Sequence, residues 1–209
     1  MNETYNIQAI VLRRQAFKER DDRIVIYSDE TGKKELVVRG TKKILSKLSG
    51  HIEPLSLVSL MVVRGKQYNY AGTVISLDCF QGIKKNYERV VAAGYGIKIF
   101  DEFVKFDLPD EELFALLKKF LKVIERVPAA DAELLSDVFI FQFFQALGVL
   151  PDFKIGDYHG MKVSEQVAEF LALTRNMDLE KFTEVLVNSD LKKEINTLAN
   201  YFVEIAREK

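Results

Sequence analysis

Short runs of apolar, β-branched and aromatic residues, separated by turn residues, fill the first eighty positions of the chain, a pattern typical of β-strands. Five runs are distinct, at residues 5–12, 23–28, 34–39, 55–64 and 68–77. Turn residues follow the second run at Asp29-Glu30-Thr31-Gly32 and the fourth run at Arg64-Gly65-Lys66. Both are hairpin turns whose glycines can take positive φ. Five short strands of this kind predict a small closed barrel.

The connection between the third and fourth runs, residues 40–50, is too long for a hairpin and too polar for a core. We expect it to cross one end of the barrel. A five-stranded barrel with a longer connection after its third strand is the OB arrangement, which binds nucleic acids and oligosaccharides. The pattern alone does not separate this arrangement from an SH3-like barrel.

From Asn86 onward the apolar residues recur every three or four positions, which indicates helices. The predicted helices span residues 86–106, 110–127, 130–147, 164–174, 178–187 and 190–207. Gly148 is suited to a left-handed helix cap, residues 149–162 read as a loop, and Gly94 and Gly96 suggest close helix packing. The expected fold class is α+β: a five-stranded OB-type barrel (residues 1–80) packed on an all-α domain (residues 81–209).

Charge is distributed unevenly along these 209 residues, although the net charge is only −1. Residues 1–80 contain 13 Lys and Arg against 9 Asp and Glu, whereas residues 81–209 contain 17 against 22. Between Lys33 and Lys66 the count is 8 basic residues to 2 acidic ones. Such segregation predicts an anionic partner for the first half.

Eight basic residues in and around the barrel are therefore candidates for contact with DNA phosphates. They are Arg39, Lys42, Lys43 and Lys47 in the long connection, and Lys33, Lys34, Arg64 and Lys66 at two hairpin ends. Arg13, Arg14, Lys18, Arg20 and Arg23 are weaker candidates because acidic residues lie among them. Tyr68 and Tyr70 are expected on one face of a strand, where they either stack on bases or pack against the barrel.

Four phenylalanines between residues 139 and 144 cover more than one face of their predicted helix. Core packing is the ordinary explanation. The alternative is a groove for the apolar tail of a partner, with basic residues to receive its carboxylates. The candidate groove residues are Lys118, Lys119, Lys122, Arg126, Phe141 and Phe144.

Catalytic and metal-binding patterns are sparse in this sequence. His51 and His159 stand alone, and neither a Walker motif nor a Gly-x-Ser-x-Gly motif is present. Cys79 is the only cysteine, which fits a reducing compartment. We expect a cytoplasmic protein that is not an enzyme and has no cofactor, no metal, no small-molecule substrate and no membrane segment.

Three motifs carry a resemblance to a known family. The most specific is a strand, a glycine, a basic loop with Ser-Lys, and then a proline and a strand. It reads Val37-Val38-Arg39-Gly40-Thr41-Lys42-Lys43-Ile44-Leu45-Ser46-Lys47-Leu48, followed by Ile52-Glu53-Pro54-Leu55. The others are Ala9-Ile10-Val11-Leu12-Arg13-Arg14 and Ala146-Leu147-Gly148-Val149-Leu150-Pro151-Asp152. With these motifs the chain resembles the RecO family of bacterial recombination mediators.

This resemblance implies a protein that binds single- and double-stranded DNA, anneals complementary strands and helps to load the RecA recombinase. The implied partners are the RecR protein and the acidic C-terminal tail of the single-stranded-DNA-binding protein. Many family members carry a four-cysteine zinc module after the Leu-Gly-x-x-Pro step, but residues 153–160 contain no cysteine. Two other functions remain open: a protein-interaction module, and an OB-fold protein that binds structured RNA.

Overall fold

A computed structural model of the chain describes residues 3–42, 48–153, 155–185 and 187–208. The strands are β1 (Thr4–Ala16), β2 (Asp22–Ser28), β3 (Gly32–Val38), β4 (Ser56–Val63), β5 (Tyr70–Asp78), β6 (Gly156–Tyr158) and β7 (Met161–Val163). The α-helices are α1 (Gln81–Lys84), α2 (Tyr87–Phe103), α3 (Glu111–Ile124), α4 (Ala132–Ala146), α5 (Glu165–Thr174) and α6 (Ser189–Arg207). Short 3₁₀-helices occupy Ser49–His51, Ala129–Asp131 and Leu179–Glu184.

The chain forms two compact units. The first, here the barrel unit, consists of Met1–Gln81 and Ile97–Leu121; the second, the helical unit, consists of Gly82–Gly96 and Lys122–Lys209. The α+β fold class is confirmed. The expected boundary at residue 80 stays a prediction.

The first five strands form a closed barrel in the order β1-β2-β3-β5-β4, and β1 also pairs with β4. β1 pairs with two neighbours because it is long: Thr4–Val11 lies beside β4, whereas the residues from Ile10 to Ala16 lie beside β2. A register shift between Val11 and Arg13 accompanies the change of partner, as a β-bulge does. β3 and β5 pair in parallel at Val37 and Tyr70. This order and the long connection after β3 are the OB arrangement.

The barrel interior is filled by alternate residues of its strands, as the two-residue repeat of a strand requires. Ile24 and Ile26 of β2 and Leu36 and Val38 of β3 are among these buried residues. The described end of the long connection contributes too, because Ile52 is fully buried and residue Leu48 packs against the same core. Residues 43–47 of that connection lie outside the described part of the chain.

The two turn glycines of the barrel have different roles. Gly32 has a φ of +67°, as predicted. Gly65 does not use this freedom, since its φ lies outside the left-handed region. Gly65 is needed for space instead: a Cβ there would lie 2.4 Å from the Tyr68 carbonyl oxygen and 2.9 Å from Cε2 of Tyr70.

Helical residues of the barrel unit cover part of the outer face of β2 and β3. The ring of Phe100 meets that of Tyr27 edge-on, with 4.9 Å between the centroids. Burial, with a smaller contribution from Asp110, raises the pKa of Tyr27 to about 12. Asp101 pairs with Lys33, whose Nζ lies 2.7 Å from the Asp101 Oδ1. The face that OB folds often use for oligonucleotides is therefore partly occupied by the chain's own residues.

Two glycine-to-alanine substitutions should have opposite effects on stability. A Cβ on Gly32 would lie 2.4 Å from the Leu108 carbonyl oxygen, and the positive φ adds strain of about 1–2 kcal/mol. Gly94 lies inside α2. In the described part of the chain, nothing outside its own helix backbone lies within 4 Å of the position that a Cβ on Gly94 would take. The prediction of close helix packing at Gly94 is therefore wrong. We expect Gly32→Ala to lower the urea midpoint of unfolding, and Gly94→Ala to raise it through a gain of about 1 kcal/mol in stability. An unchanged midpoint for Gly32→Ala would contradict the described approach of Leu108.

The helical unit is built around α4. Phe139, Phe143 and Phe144 are fully buried. Gly148 has a φ of +73°, and the amides of Gly148 and Val149 bond to the carbonyls of Gln145 and Phe144 at 2.8 and 3.0 Å. These bonds form the Schellman cap, and the prediction of a left-handed cap at Gly148 is confirmed.

Two segments of the helical unit differ from the predictions. Residues 178–187, predicted as an α-helix, contain the 3₁₀-helix Leu179–Glu184, in which Leu179 and Phe182 are buried three positions apart. Residues 149–162, predicted as a loop, contain most of the β6–β7 hairpin, whose turn residues His159 and Gly160 both have positive φ. The second domain therefore includes a small two-stranded sheet. Its three-residue strands are too short to show the alternation of apolar and polar residues by which a strand is predicted from sequence.

Candidate nucleic-acid interface

Two connections of the barrel bring aromatic rings together. Phe17 lies in the β1–β2 connection and Tyr68 in the β4–β5 connection. Their ring centroids are 5.3 Å apart, and the rings meet edge to face at 75°. Both side chains are half-buried. In OB folds these two connections commonly bind oligonucleotides.

Basic side chains lie over these rings and over Tyr70. Lys18 Nζ is 5.2 Å from the ring centroid of Phe17 and 5.9 Å from that of Tyr68. The guanidinium carbon of Arg23 lies 4.3 Å from the Phe17 centroid. The guanidinium carbon of Arg39 lies 4.2 Å from the Tyr70 centroid. Such cation–π contacts hold the charged groups at the rings.

The start of the long β3–β4 connection is tied to the β1–β2 connection. Lys42 Nζ donates to the Lys18 carbonyl at 2.9 Å, and the Gly40 amide donates to Asp21 Oδ1 at 2.9 Å. These contacts link Lys42 with Lys18, Phe17 and Tyr68, and Arg39, three positions before Lys42 in the same connection, lies over Tyr70. We call the combined set the ring–cation surface. It consists of Phe17, Lys18, Arg23, Arg39, Lys42, Tyr68 and Tyr70.

The surface contains part of the predicted DNA-binding set. Arg39 and Lys42 are exposed members. Lys43 and Lys47 lie outside the described residues. Tyr68 is not on a strand, because β5 begins at Tyr70. The two tyrosines therefore contribute from a connection and a strand end rather than from one strand face.

Three other predicted basic residues are held by carboxylates elsewhere in the barrel unit. Lys33 is only 6% exposed and pairs with Asp101, so its ammonium group is not presented to a ligand. Lys34 pairs with Asp107, and Arg64 with Glu3 at 2.7 Å. Lys34 and Arg64 line one shallow depression together with these acids and Glu30. The last of the predicted set, Lys66, is exposed in the β4–β5 connection.

The weaker candidates for DNA contact fall into two groups: some pair with carboxylates, and others belong to the ring–cation surface. Arg13 pairs with Asp101 at 2.7 Å, and Arg14 pairs with Asp22 at 2.6 Å and with Glu53. Lys18 and Arg23 belong to the ring–cation surface, where Arg23 also pairs with Glu35 at 3.3 Å. The sequence prediction misses Phe17. The sequence does contain a feature that could have identified Phe17: an aromatic residue between a strand and a polar turn has no predicted core to pack against.

The two rings predicted for a partner-tail groove lie in different surroundings, and the groove itself stays a prediction. Phe144 is fully buried and meets Phe202 edge-on at 4.8 Å. Phe141 packs on Phe153 and Phe202 and lines a cavity of about 160 Å³. The predicted basic partners are half-buried or exposed on α3 and just after it, as Lys118, Lys119, Lys122 and Arg126.

The described residues contain neither an arranged metal site nor a membrane-spanning helix. No group of three or more His, Cys, Asp or Glu side chains there is placed to hold a metal ion. No helix in that part of the chain is both long and apolar enough to span a bilayer.

The barrel order, the long connection after β3 and the helical unit define an α+β protein of the OB class. Residues 1–79 match the family model for the Recombination protein O N terminal region, and residues 84–154 match the one for its C terminal region. The chain therefore belongs to the RecO family of DNA repair proteins.

Similar proteins named DNA repair protein RecO span different shares of the chain. One from Desulforamulus reducens is 24% identical over 234 residues, covering 98% of this chain and 90% of the relative. One from Caldicellulosiruptor saccharolyticus is 19% identical, covering 97% and 93%. One from Roseiflexus sp. is 29% identical over 147 residues, covering 70% of this chain and 51% of the relative.

Proposed function

We propose that this chain is a recombination mediator that binds single- and double-stranded DNA through the ring–cation surface. The observation that carries the proposal is the placement of three aromatic rings among four basic side chains, in or next to the β1–β2, β3–β4 and β4–β5 connections. Aromatic rings offer stacking platforms to single-stranded bases, and cations neutralise phosphates on either form of DNA. Such contacts read no base edges, so binding is expected to tolerate any sequence.

The same chemistry suits strand annealing. Basic side chains reduce the repulsion between two phosphate backbones. A base stacked on a ring gains about 1–3 kcal/mol, which is close to the roughly 1.4 kcal/mol of one step of DNA stacking. A base can therefore leave the ring for its complementary partner at little cost. This exchange is the step that we propose for this protein in annealing.

Assistance in loading the RecA recombinase, and the partners RecR and the tail of the single-stranded-DNA-binding protein, are further parts of the proposal. Membership of the RecO family supports them. The ring–cation surface lies in the barrel unit, and we propose the helical unit as the binding region for protein partners. Lys122 and Arg126 are both exposed and are the residues that we propose for contact with an acidic tail.

Removal of two cations from the ring–cation surface should weaken DNA binding and reduce its salt dependence. The test variant is Arg39→Gln with Lys42→Gln, and the matched control is Lys34→Gln with Arg64→Gln, which removes the same two residue types beside carboxylates. We expect the slope of log K against log salt for a labelled oligo(dT) to fall by about 1.4 in the test variant. The control should stay near wild type, as measured by fluorescence anisotropy.

Two results would contradict this proposal. Equal losses in the test and control variants would indicate a diffuse electrostatic attraction rather than the ring–cation surface. Absence of oligo(dT) binding by the folded wild-type chain at low salt would favour a protein-interaction module. Competition between DNA and RNA of equal length separates the third alternative, since a preference for RNA would point to an RNA-binding OB protein.

A further inference from the structure

A cavity of about 470 Å³ opens to solvent between α2, α4 and α6 of the helical unit. Tyr87 and Val91, which are 79% and 52% exposed, form its rim. Ser136 and Asp137 of α4 line its interior, and both side chains are almost fully buried. A cavity of this volume lies in the range of ligand-binding pockets.

A chain of hydrogen bonds fixes the polar wall of this cavity. The Tyr95 hydroxyl donates to Asn200 Oδ1 at 2.7 Å, and Asn200 Nδ2 donates to Asn196 Oδ1 at 3.0 Å. Asn196 Nδ2 then donates to the Asp137 carboxylate, 3.2 Å from Oδ2 and 3.4 Å from Oδ1. Ser136 donates to the Ala92 carbonyl at 3.0 Å. The chain ends at Asp137, whose oxygens retain further capacity to accept.

The charge in the cavity is of one sign. Its described lining includes Glu88, Glu133 and Asp137 but neither lysine nor arginine. Lys192 on α6 forms an ion pair with Asp131 and donates a hydrogen bond to the Ala130 carbonyl. Burial is the main reason why the pKa of Asp137 is raised to about 8; the Asn196 bond opposes this rise and the charge of Glu133 adds to it. Among the described residues that line the cavity, none supplies a positive charge to this buried carboxyl group.

We propose that this cavity receives the side chain of an arginine from a protein partner, with the guanidinium group bound to Asp137. Arginine fits better than lysine because a planar guanidinium offers several donors to the Asp137 carboxylate and can stack on the exposed ring of Tyr87. Its aliphatic stem would contact Val91, Ala92 and Ala129. This inference is independent of the proposed DNA surface, which lies on other residues in the barrel unit.

Binding of arginine requires the ionised form of Asp137, and this gives the proposal a pH signature. Below about pH 8 the Asp137 carboxyl is mostly protonated, whereas arginine stays charged throughout. Affinity is therefore expected to rise between about pH 6.5 and pH 8.5. The groups around Asp137 are Glu133 on its own helix, Glu88 and Tyr95 on α2, and Asn196 and Asn200 on α6.

The test is an NMR titration of the full chain with N-acetylarginine amide, with N-acetylcitrulline amide as a neutral probe of nearly the same shape. A single side chain of this size should bind with a dissociation constant in the millimolar range. We expect the arginine probe to shift the amide signals of Ala92, Ser136 and Asn196 in a saturable way. The citrulline probe should bind at least about tenfold more weakly.

Two variants keep the interpretation clear. Asp137→Asn preserves volume and should weaken arginine binding about tenfold and remove its pH dependence. Val91→Phe narrows the rim at an exposed position and should also weaken binding, while the exposed Glu169→Gln on α5 should leave it unchanged. Equal binding of the arginine and citrulline probes, or arginine binding that Asp137→Asn leaves intact, would overturn the proposal. Absence of saturable shifts in the wild-type chain would overturn it as well.

Discussion

Replacement of Phe17 and Tyr68 together by leucine is expected to weaken binding of single-stranded DNA by at least about 2 kcal/mol, or roughly thirtyfold. Leucine keeps apolar bulk at the two connections but removes the π-faces on which bases stack. The four cations of the ring–cation surface remain, so the salt slope should change little. Affinity for duplex DNA, whose bases are already stacked, should also fall much less than affinity for single strands.

The matched control for the ring variant is Phe106→Leu. Phe106 is 50% exposed and lies under a cation as well, with Lys33 Nζ 4.7 Å from its ring centroid, but it is not part of the ring–cation surface. Anisotropy titrations with oligo(dT) and with a duplex of equal length provide the comparison. Equal losses for both DNA forms would argue against stacking and leave only backbone charge as the basis of binding.

Replacement of Asp101 by alanine is expected to lower the free energy of unfolding by about 3–5 kcal/mol. Asp101 receives Lys33 Nζ and Arg13 Nε, each at 2.7 Å, and the Lys33 side chain is almost completely buried. Without Asp101 an ammonium group remains inside the barrel unit with no carboxylate. Lys33→Met should cost less because Asp101 keeps Arg13 as a partner.

Urea unfolding followed by circular dichroism measures these differences. Lys33→Met combined with Asp101→Leu should recover much of the stability lost in Asp101→Ala, because an apolar pair of similar volume carries no desolvation cost. Lys34→Met is the control, since its partner Asp107 is exposed and such surface pairs contribute about 0–1 kcal/mol. An Asp101→Ala protein as stable as Lys34→Met would contradict the buried ion pair.

The sequence predicts the barrel better than it predicts the role of individual charges. Strand positions follow from local alternation, and the long connection after β3 indicates the OB arrangement that the strand order confirms. The burial of Lys33 depends on Asp101, 68 positions further along the chain. A local pattern contains no information about such a pair, so in the sequence Lys33 resembles any other hairpin lysine.

The candidate site shows the same division between local and long-range information. The density of basic residues predicts Arg39 and Lys42, whereas Phe17 joins them only because two separate connections meet in the folded barrel. The sequence pattern places Tyr68 on a strand because β-rich residues surround it. Tyr68 instead lies in the connection before β5, which begins at Tyr70, and periodicity does not reveal this boundary.

The cover that Ile97–Leu121 provides over β2 and β3 has a consequence for any attempt to study the barrel as a fragment. Val25 and Tyr27 point outward from β2 and are buried at 2% and 1% exposure. A polypeptide ending at residue 80 would present this apolar strip to water and would leave the Lys33 ammonium without Asp101. Exposed strips of that kind favour self-association, so such a fragment is expected to precipitate or to oligomerise.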